Sequence, residues 1–232
     1  MIDIHSHVLP GIDDGSGSVE ESLSMLWESA RQGVSYIAAT PHFYPMEYTP
    51  EQFLDRRSAS VERLQSAWEP RLPELILGAE VYFFEGMSAC GELGRLRLEG
   101  TDLLLVEMPF CPWTERMITE LMALQRRPGI KVLLAHIERY FSFAPKAIWD
   151  ELLEEGILMQ CNASFFLSWK TRRKACRMLH EGRIHFLGSD SHNMSSRPPR
   201  LGDAMAVIGE SGRQIIEKNT CDLLLATEGK VH

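Results

Sequence analysis

Cysteine is sparse and unpatterned in this chain of 232 residues: Cys90, Cys111, Cys161, Cys176 and Cys221 show no C-x-x-C spacing. That excludes zinc-ribbon and dithiol motifs, and an odd, dispersed set is expected to be reduced thiols used in packing. The opening residues lack the basic start and apolar stretch of a secretory signal. No apolar run approaches the roughly 20 residues of a membrane helix. The expectation is a cytoplasmic protein without membrane insertion. Positive charge is also short, with 24 Lys and Arg against 32 Asp and Glu and a net charge of -8. Non-specific nucleic-acid binding relies on basic faces, so the charge argues against it and no nucleic-acid partner is expected. Linkers and low-complexity segments are absent, and one domain over 1–232 is expected.

What the chain has is a repeated order. Short apolar runs alternate with helical segments: "MIDIH" (1–5), "YIAATPH" (36–42), "LILGAEV" (75–81), "LLLVEM" (103–108), "KVLLAH" (131–136), "ILMQCN" (157–162) and "IHFLGSD" (184–190). Strands covered on both faces read as continuous apolar runs, and their alternation with helices predicts parallel βα units. "SVEESLSMLWESARQG" predicts a helix, with Ser18 and Glu21 in capping-box spacing and Gly33 as its stop. "PEQFLDRRSASVERLQSAW", "TERMITELMALQRR", "APKAIWDELLEEG" and "TRRKACRMLHEG" supply further helices. The expected fold is α/β, a closed or nearly closed seven-stranded βα barrel, with a doubly wound open sheet as the competing architecture. Either places function beyond the carboxyl ends of the strands.

Those ends carry the chemistry. His5 and His7 end the first run and His42 the second; Glu80, Glu107 and His136 end the third, fourth and fifth. Asn162 closes the sixth, Asp190 and His192 the seventh, and Asp14 lies in the loop "GIDDGSG". Each residue alone has a structural explanation, but a histidine or carboxylate at almost every strand end is a pattern. His180, His185 and His232 fall outside it and are expected to have no catalytic role. Imidazoles mixed with carboxylates, without thiolate, suit divalent Zn, Fe or Mn. So many ligands exceed one catalytic ion and suit two or three, with a carboxylate bridging.

"DIHSH", "TPH", "GAE", "AHIERY" and "GSDSHN" resemble the motifs of the polymerase-and-histidinol-phosphatase (PHP) family. "MIDIHSHVLPGIDDGS", "ATPHFYP", "LLVEMPF" and "GSDSHNMSSRPPRL" are more specifically similar to the bacterial PHP-type tyrosine phosphatases of capsule and exopolysaccharide loci, the CpsB/CapC/YwqE type. The likeness runs from residue 1 to about 203, and the stretch 204–232 carries no transferable motif. It implies a distorted seven-stranded βα barrel of TIM-like form, the PHP fold, holding three divalent ions, manganese first, with iron, zinc or magnesium as alternatives. One ion would take His5, His7, Glu80 and Asp190, a second Glu80, Glu107 and His136, and the third Asp14, His42 and His192. Arg139 and Arg197 match the family's phosphate-binding arginines. The implied partner is the phosphotyrosine tail of a bacterial tyrosine kinase that controls polysaccharide export.

The chemistry expected is hydrolysis of a phosphate ester by metal-activated water, with Arg139 and Arg197 clamping phosphoryl oxygens. Bound ions would make the pocket positive against Asp14, Glu80, Glu107 and Asp190, so an acidic protein can still draw in a phosphate. A cysteine nucleophile is not needed, and "CPWTERM" from Cys111 lacks C-x5-R spacing. Asp3 is expected to orient a histidine, and Glu138 to be a surface or ion-pairing residue. Asn162 either bonds a ligand or caps its strand. Phe43, Tyr44, Phe110, Trp113 and Tyr140 lie past strand ends and could wall a slot for an aromatic ring, or simply pack the rim. Two alternatives stay open: a PHP phosphoesterase acting on another substrate, such as histidinol phosphate or DNA, and an inactive metal-stabilised scaffold.

Overall fold

The structure, a computed structural model, describes residues 1–228, so His232 lies outside the described residues. Its strands, in chain order, are β1 (Ile2–Ser6), β2 (Tyr36–Ala39), β3 (His42–Phe43), β4 (Glu74–Leu77), β5 (Glu80–Tyr82), β6 (Leu103–Glu107), β7 (Lys131–Leu134), β8 (Leu158–Asn162) and β9 (Phe186–Gly188). They form two sheets, ordered β1-β2-β4 and β3-β5-β6-β7-β8-β9, and every strand pair is parallel. The architecture is therefore α/β with parallel sheets.

Every apolar run of the sequence becomes a strand, but two of them break. "YIAATPH" yields β2 and β3, and "LILGAEV" yields β4 and β5. Pro41 falls at the first break, where it offers no N–H to continue the ladder. Each run thereby starts in one sheet and ends in the other. Across the remaining gap, Ser6 bridges Ser191 in parallel, and His5 O accepts Asp190 N–H at 2.9 Å.

Among the described residues there are eight α-helices: α1 (Val19–Arg31), α2 (Pro50–Gln65), α3 (Glu115–Gln125), α4 (Lys146–Glu154), α5 (Ala163–Leu167), α6 (Arg172–His180), α7 (Leu201–Val207) and α8 (Gly209–Glu228). Ser18 caps α1 by accepting the Glu21 N–H at 3.3 Å, while the Glu21 carboxylate accepts from Gly17 N. Gly33 follows α1 with φ 85°, a left-handed conformation suited to glycine.

Side-chain alternation along β6 separates two cores. Leu104 and Val106 join the large apolar cluster shared with the helices. Leu103 and Leu105 face a smaller cluster with Ile4, Ala38, Leu133 and Phe186, drawn from strands of both sheets. Glu107, two residues beyond Leu105, ends that inner face. The strand period that fills the interior with leucine thus delivers a carboxylate at its rim.

Candidate metal centre

Glu80, the first residue of β5 and fully buried, is the centre of the constellation. Its Oε2 lies 3.2 Å from Nε2 of both His5 and His7 and 3.1 Å from His42 Nδ1. Its other oxygen, Oε1, lies 2.8 Å from His136 Nε2. Glu107 adds a second carboxylate, 3.6 Å from His136 Nε2 and 3.6 Å from His42 Nδ1. Asp190 Oδ1 stands 3.7 Å from His5 Nε2 and 3.6 Å from His7 Nε2. Asp14, exposed on its loop, reaches His42 Nε2 at 3.5 Å and His192 Nε2 at 3.4 Å. The eight strand-end histidines and carboxylates singled out in the sequence, with Asp14 from its loop, therefore converge on one place.

Backbone strain accompanies the convergence. His136 and Asp190 have φ of 30° and 51°, and among the described residues no other non-glycine has positive φ. Each conformation turns a side chain off the end of a strand, at a cost of order 1–3 kcal/mol. Glycine gives the histidines room. A Cβ on Gly188 would sit 2.6 Å from His5 Cβ, and one on Gly15 would sit 2.4 Å from the His7 carbonyl oxygen.

Two residues that the sequence reading passed over hold the imidazoles. Asp13 Oδ2 accepts from His7 Nδ1 at 2.7 Å and from the His42 backbone N–H at 3.0 Å. Gln160 Oε1 accepts the His136 backbone N–H at 2.6 Å and pairs with His5 Nδ1 at 3.2 Å, while its Nε2 donates to Asn162 Oδ1. A carbonyl oxygen can only accept, so His5 carries its proton on Nδ1 and turns the Nε2 lone pair toward the cluster. A signal for both was present: Asp13 stands beside Asp14, and Gln160 shares strand parity with Asn162.

Other expectations need correcting. Phe43 does not line a slot: it is 1% exposed and packs edge-on against Phe53. His42 points to the cluster, so its strand neighbour must face the helices. Tyr140 is fully buried, its ring 5.5 Å from His136 and its oxygen accepting Met108 N–H. It supports His136 and cannot touch a substrate. Tyr44 stays on the rim, stacked on His42 at 5.1 Å, and Phe110, 52% exposed, lies parallel to His136 at 6.3 Å. Trp113 packs on Tyr140 and Trp149. Glu138 is half-buried and in no ion pair among the described residues; it accepts Asn162 N–H, and burial pushes its carboxyl up to about 7. Asp3 acts on backbone rather than on an imidazole, accepting N–H groups of Ser189 and His5. Asn162 bonds a site residue, donating to Asp190 Oδ2 at 2.6 Å.

The electrostatics suit divalent cations. Glu80 Oε2, His42 Nδ1, His136 Nδ1 and His192 Nε2 are buried without a hydrogen-bond partner. Burial and then the charge of Glu80 raise the Glu107 carboxyl to about 8. His192 is lowered to about 4, mainly by burial and then by His7. Burial likewise lowers His42 and His136, whereas the neighbouring carboxylates overcome burial to raise His5, and His7 to about 10, so the cluster calls for positive charge that divalent ions would supply. Ligand atoms of His5, His7 and Asp190 lie within 4.8 Å of one another, as do those of His7, Asp14, His42 and His192 and those of His42, Glu80 and Glu107. This grouping sets His42 beside Glu80 and Glu107, where the family pattern implies His136.

Fold and site together define a parallel α/β protein with a buried histidine–carboxylate cluster at its strand ends, suited to several cations. Comparison with known proteins agrees. The family described as "Capsular polysaccharide synthesis, CpsB/CapC" matches residues 1–226, and the chain belongs to that family. Tyrosine-protein phosphatase CpsB of Streptococcus agalactiae serotype III is 33% identical over 219 residues, covering 90% of this chain and 89% of that protein. Tyrosine-protein phosphatase YwqE of Bacillus subtilis is 28% identical over 213 residues, covering 90% and 84%. A crystal structure from work on YwqE and Streptococcus pneumoniae CpsB, described as unique metal-dependent tyrosine phosphatases, superimposes with a TM-score of 0.81 at 25% identity. The match covers 98% of this chain and 95% of that one.

Proposed function

We propose that this chain is a metal-dependent protein tyrosine phosphatase of capsular polysaccharide synthesis, working in the cytoplasm as one domain. Its substrate is the phosphotyrosine tail of a bacterial tyrosine kinase. The observation that carries the reading is the pair Arg139 and Arg197, both directed at Asp190 beside the buried cluster. Cations with arginines at their edge form a receptor for a phosphoryl group. The relatives' names supply the tyrosine, and the family description supplies the polysaccharide. Among the described residues no helix is long and apolar enough to cross a membrane. The two sheets are read as one seven-run barrel closed through the Ser6–Ser191 bridge, a reading supported by the inner apolar cluster they share.

Three divalent ions, manganese first with iron, zinc or magnesium as alternatives, would be held by His5, His7, Glu80 and Asp190; by Glu80, Glu107 and His136; and by Asp14, His42 and His192. When bound they would supply Lewis acidity, activating water near neutral pH and offsetting charge on phosphoryl oxygens. The chain does the rest. Arg139 and Arg197 grip two phosphoryl oxygens and set the direction of attack on phosphorus. Gln160 and Asp13 hold His5 and His7 in single tautomers. Tyr44 and Phe110 flank the opening and receive the tyrosine ring.

Metal analysis with a substrate panel tests the proposal. Expected is a protein that carries manganese or a similar ion and prefers a phosphotyrosyl peptide over histidinol phosphate and single-stranded DNA. A peptide that proved the poorest of the three would remove the tyrosine assignment. Metal binding without any hydrolysis would leave a scaffold.

A further inference from the structure

An acidic chain should spread its few cations, yet one corner concentrates them. Between Trp169 and His180 the sequence has Lys170, Arg172, Arg173, Lys174 and Arg177 and no aspartate or glutamate. All five are exposed, and Trp169 beside them is 82% exposed. Among the described residues, Arg177 meets a carboxylate, Glu181 at 3.8 Å, whereas Lys170, Arg172, Arg173 and Lys174 form no ion pair. Arg172 is turned back onto the carbonyls of Phe166 and Leu167 and so braces the corner. Lys170 lies over the Trp169 ring at 5.6 Å, Lys174 lies over Phe141, and no carboxylate neutralises either, in a protein where the exposed Arg31, Arg95 and Arg200 each have a carboxylate partner three residues away.

The corner is built onto the candidate site from both sides. Helix α5 starts directly after Asn162, which bonds Asp190, and α6 starts five residues after α5 ends. Lys174 Nζ lies 3.8 Å from the centre of the Phe141 ring, and Phe141 follows the short turn Ile137–Tyr140 that carries Arg139. Phe141 also touches Phe165 of α5, ring to ring at 5.9 Å. Beside Lys174 and Arg177 opens a cavity of about 300 Å³ lined by Ile137, Phe141, Trp149 and Met159. It can take an apolar side chain.

We infer that this corner is a docking surface for the acidic segment of a phosphoprotein that flanks the phosphotyrosine. The inference rests on the phosphatase reading and extends it to the partner. Unpaired cations with an exposed tryptophan and an apolar cavity match a segment of Asp and Glu carrying an occasional apolar residue. The net charge of -8 repels such a segment at long range, so productive approach is confined to this corner and the cationic site next to it. Exposed charge pairs are individually weak, of order 0.2–1 kcal/mol, and act here as a set that salt screens.

The test combines Lys170→Glu, Arg173→Glu and Lys174→Glu in the full chain, with the exposed Arg71→Glu as a control for a charge reversal elsewhere on the surface. For a phosphotyrosyl peptide with acidic flanks, KM should rise about ten-fold with kcat unchanged. Turnover of p-nitrophenyl phosphate and of a neutral-flanked phosphopeptide should stay within about two-fold of wild type, and Arg71→Glu should leave all three alone. Unchanged KM for the acidic peptide, or an equal loss on all substrates, overturns the inference. A second measurement is independent of catalysis: anisotropy of a fluorescein-labelled acidic peptide without phosphotyrosine. Saturable, salt-weakened binding lost in the triple variant supports docking even if the chain hydrolyses nothing, so the two readings fail separately. Wild-type protein that ignores this peptide and sediments with phosphatidylglycerol vesicles would make the corner a membrane contact and overturn the inference.

Discussion

Arg139 and Arg197 end on the same atom, Oδ2 of Asp190, the latter at 2.6 Å, and Asn162 Nδ2 donates to that oxygen as well. Burial raises the Asp190 carboxyl, but the charges of His5 and Arg139 overcome it and hold the group well below its ordinary range. Both guanidinium groups are therefore parked at the cluster edge before a phosphate arrives, and little ordering remains to be done on binding. Arg197→Lys keeps the charge but loses the planar fork. It should lower kcat/KM for aryl phosphates by about 10²-fold while bound metal per chain stays at the wild-type value. Metal loss without a matching catalytic defect would mean that Arg197 serves Asp190 rather than substrate.

Gln160 supports two histidines of the cluster with one oxygen. Gln160→Leu leaves the His136 N–H, now bonded at 2.6 Å, buried without an acceptor. That should destabilise the fold by about 1–3 kcal/mol. It also frees the His5 ring to change tautomer, and metal affinity should fall about 10–100-fold. Competition with a fluorescent chelator measures the second effect and thermal melting the first. An unchanged metal affinity would show that Gln160 holds backbone only.

The candidate cluster was legible because it repeats: strand after strand ends in a histidine or carboxylate, and the pattern needs no tertiary knowledge. The supporting residues were not, because Gln160 and Asp13 act through contacts with residues distant in sequence or across a loop. His5 and Gln160 are 155 positions apart. The sheet break at Pro41 was visible as a proline inside a run. Its consequence, a run shared between two sheets, was not. Phe43 was open to correction from sequence alone, since the alternation that groups His5 with His7 also sends the neighbour of His42 the other way. Glu138 looked like a surface charge because composition does not show that Asn162 N–H covers it.

The contrast between Phe43 and Phe110 can be read out directly. Phe43→Ala opens a hole against Phe53 in the packed core and should cost about 3–5 kcal/mol, detected in urea unfolding. Phe110→Ala removes an exposed ring and should change stability by less than about 1 kcal/mol. Its effect belongs in KM for phosphotyrosyl peptide, raised several-fold if the ring stacks on substrate. A Phe110→Ala variant with wild-type KM and reduced stability would return that residue to rim packing.

His185 offers a pH-dependent stability outside the cluster. Its Nδ1 accepts Met159 N–H at 3.1 Å, a bond that requires the neutral ring. Burial, and then Lys131, lowers its pKa from 6.5 to about 4. The unfolded chain therefore takes up this proton at higher pH than the folded chain. The contribution to stability is complete above about pH 6.5, falls as pH drops, and is lost once pH passes about 4. The distance between those two values bounds the loss at roughly 3 kcal/mol. Glutamine can keep the acceptor without titrating, so His185→Gln should melt close to wild type at pH 8 and progressively above it between pH 6 and 4. Melting curves of the two proteins that stay parallel across that range would mean that His185 is protonated in the folded state, and the Met159 bond would have to be given up.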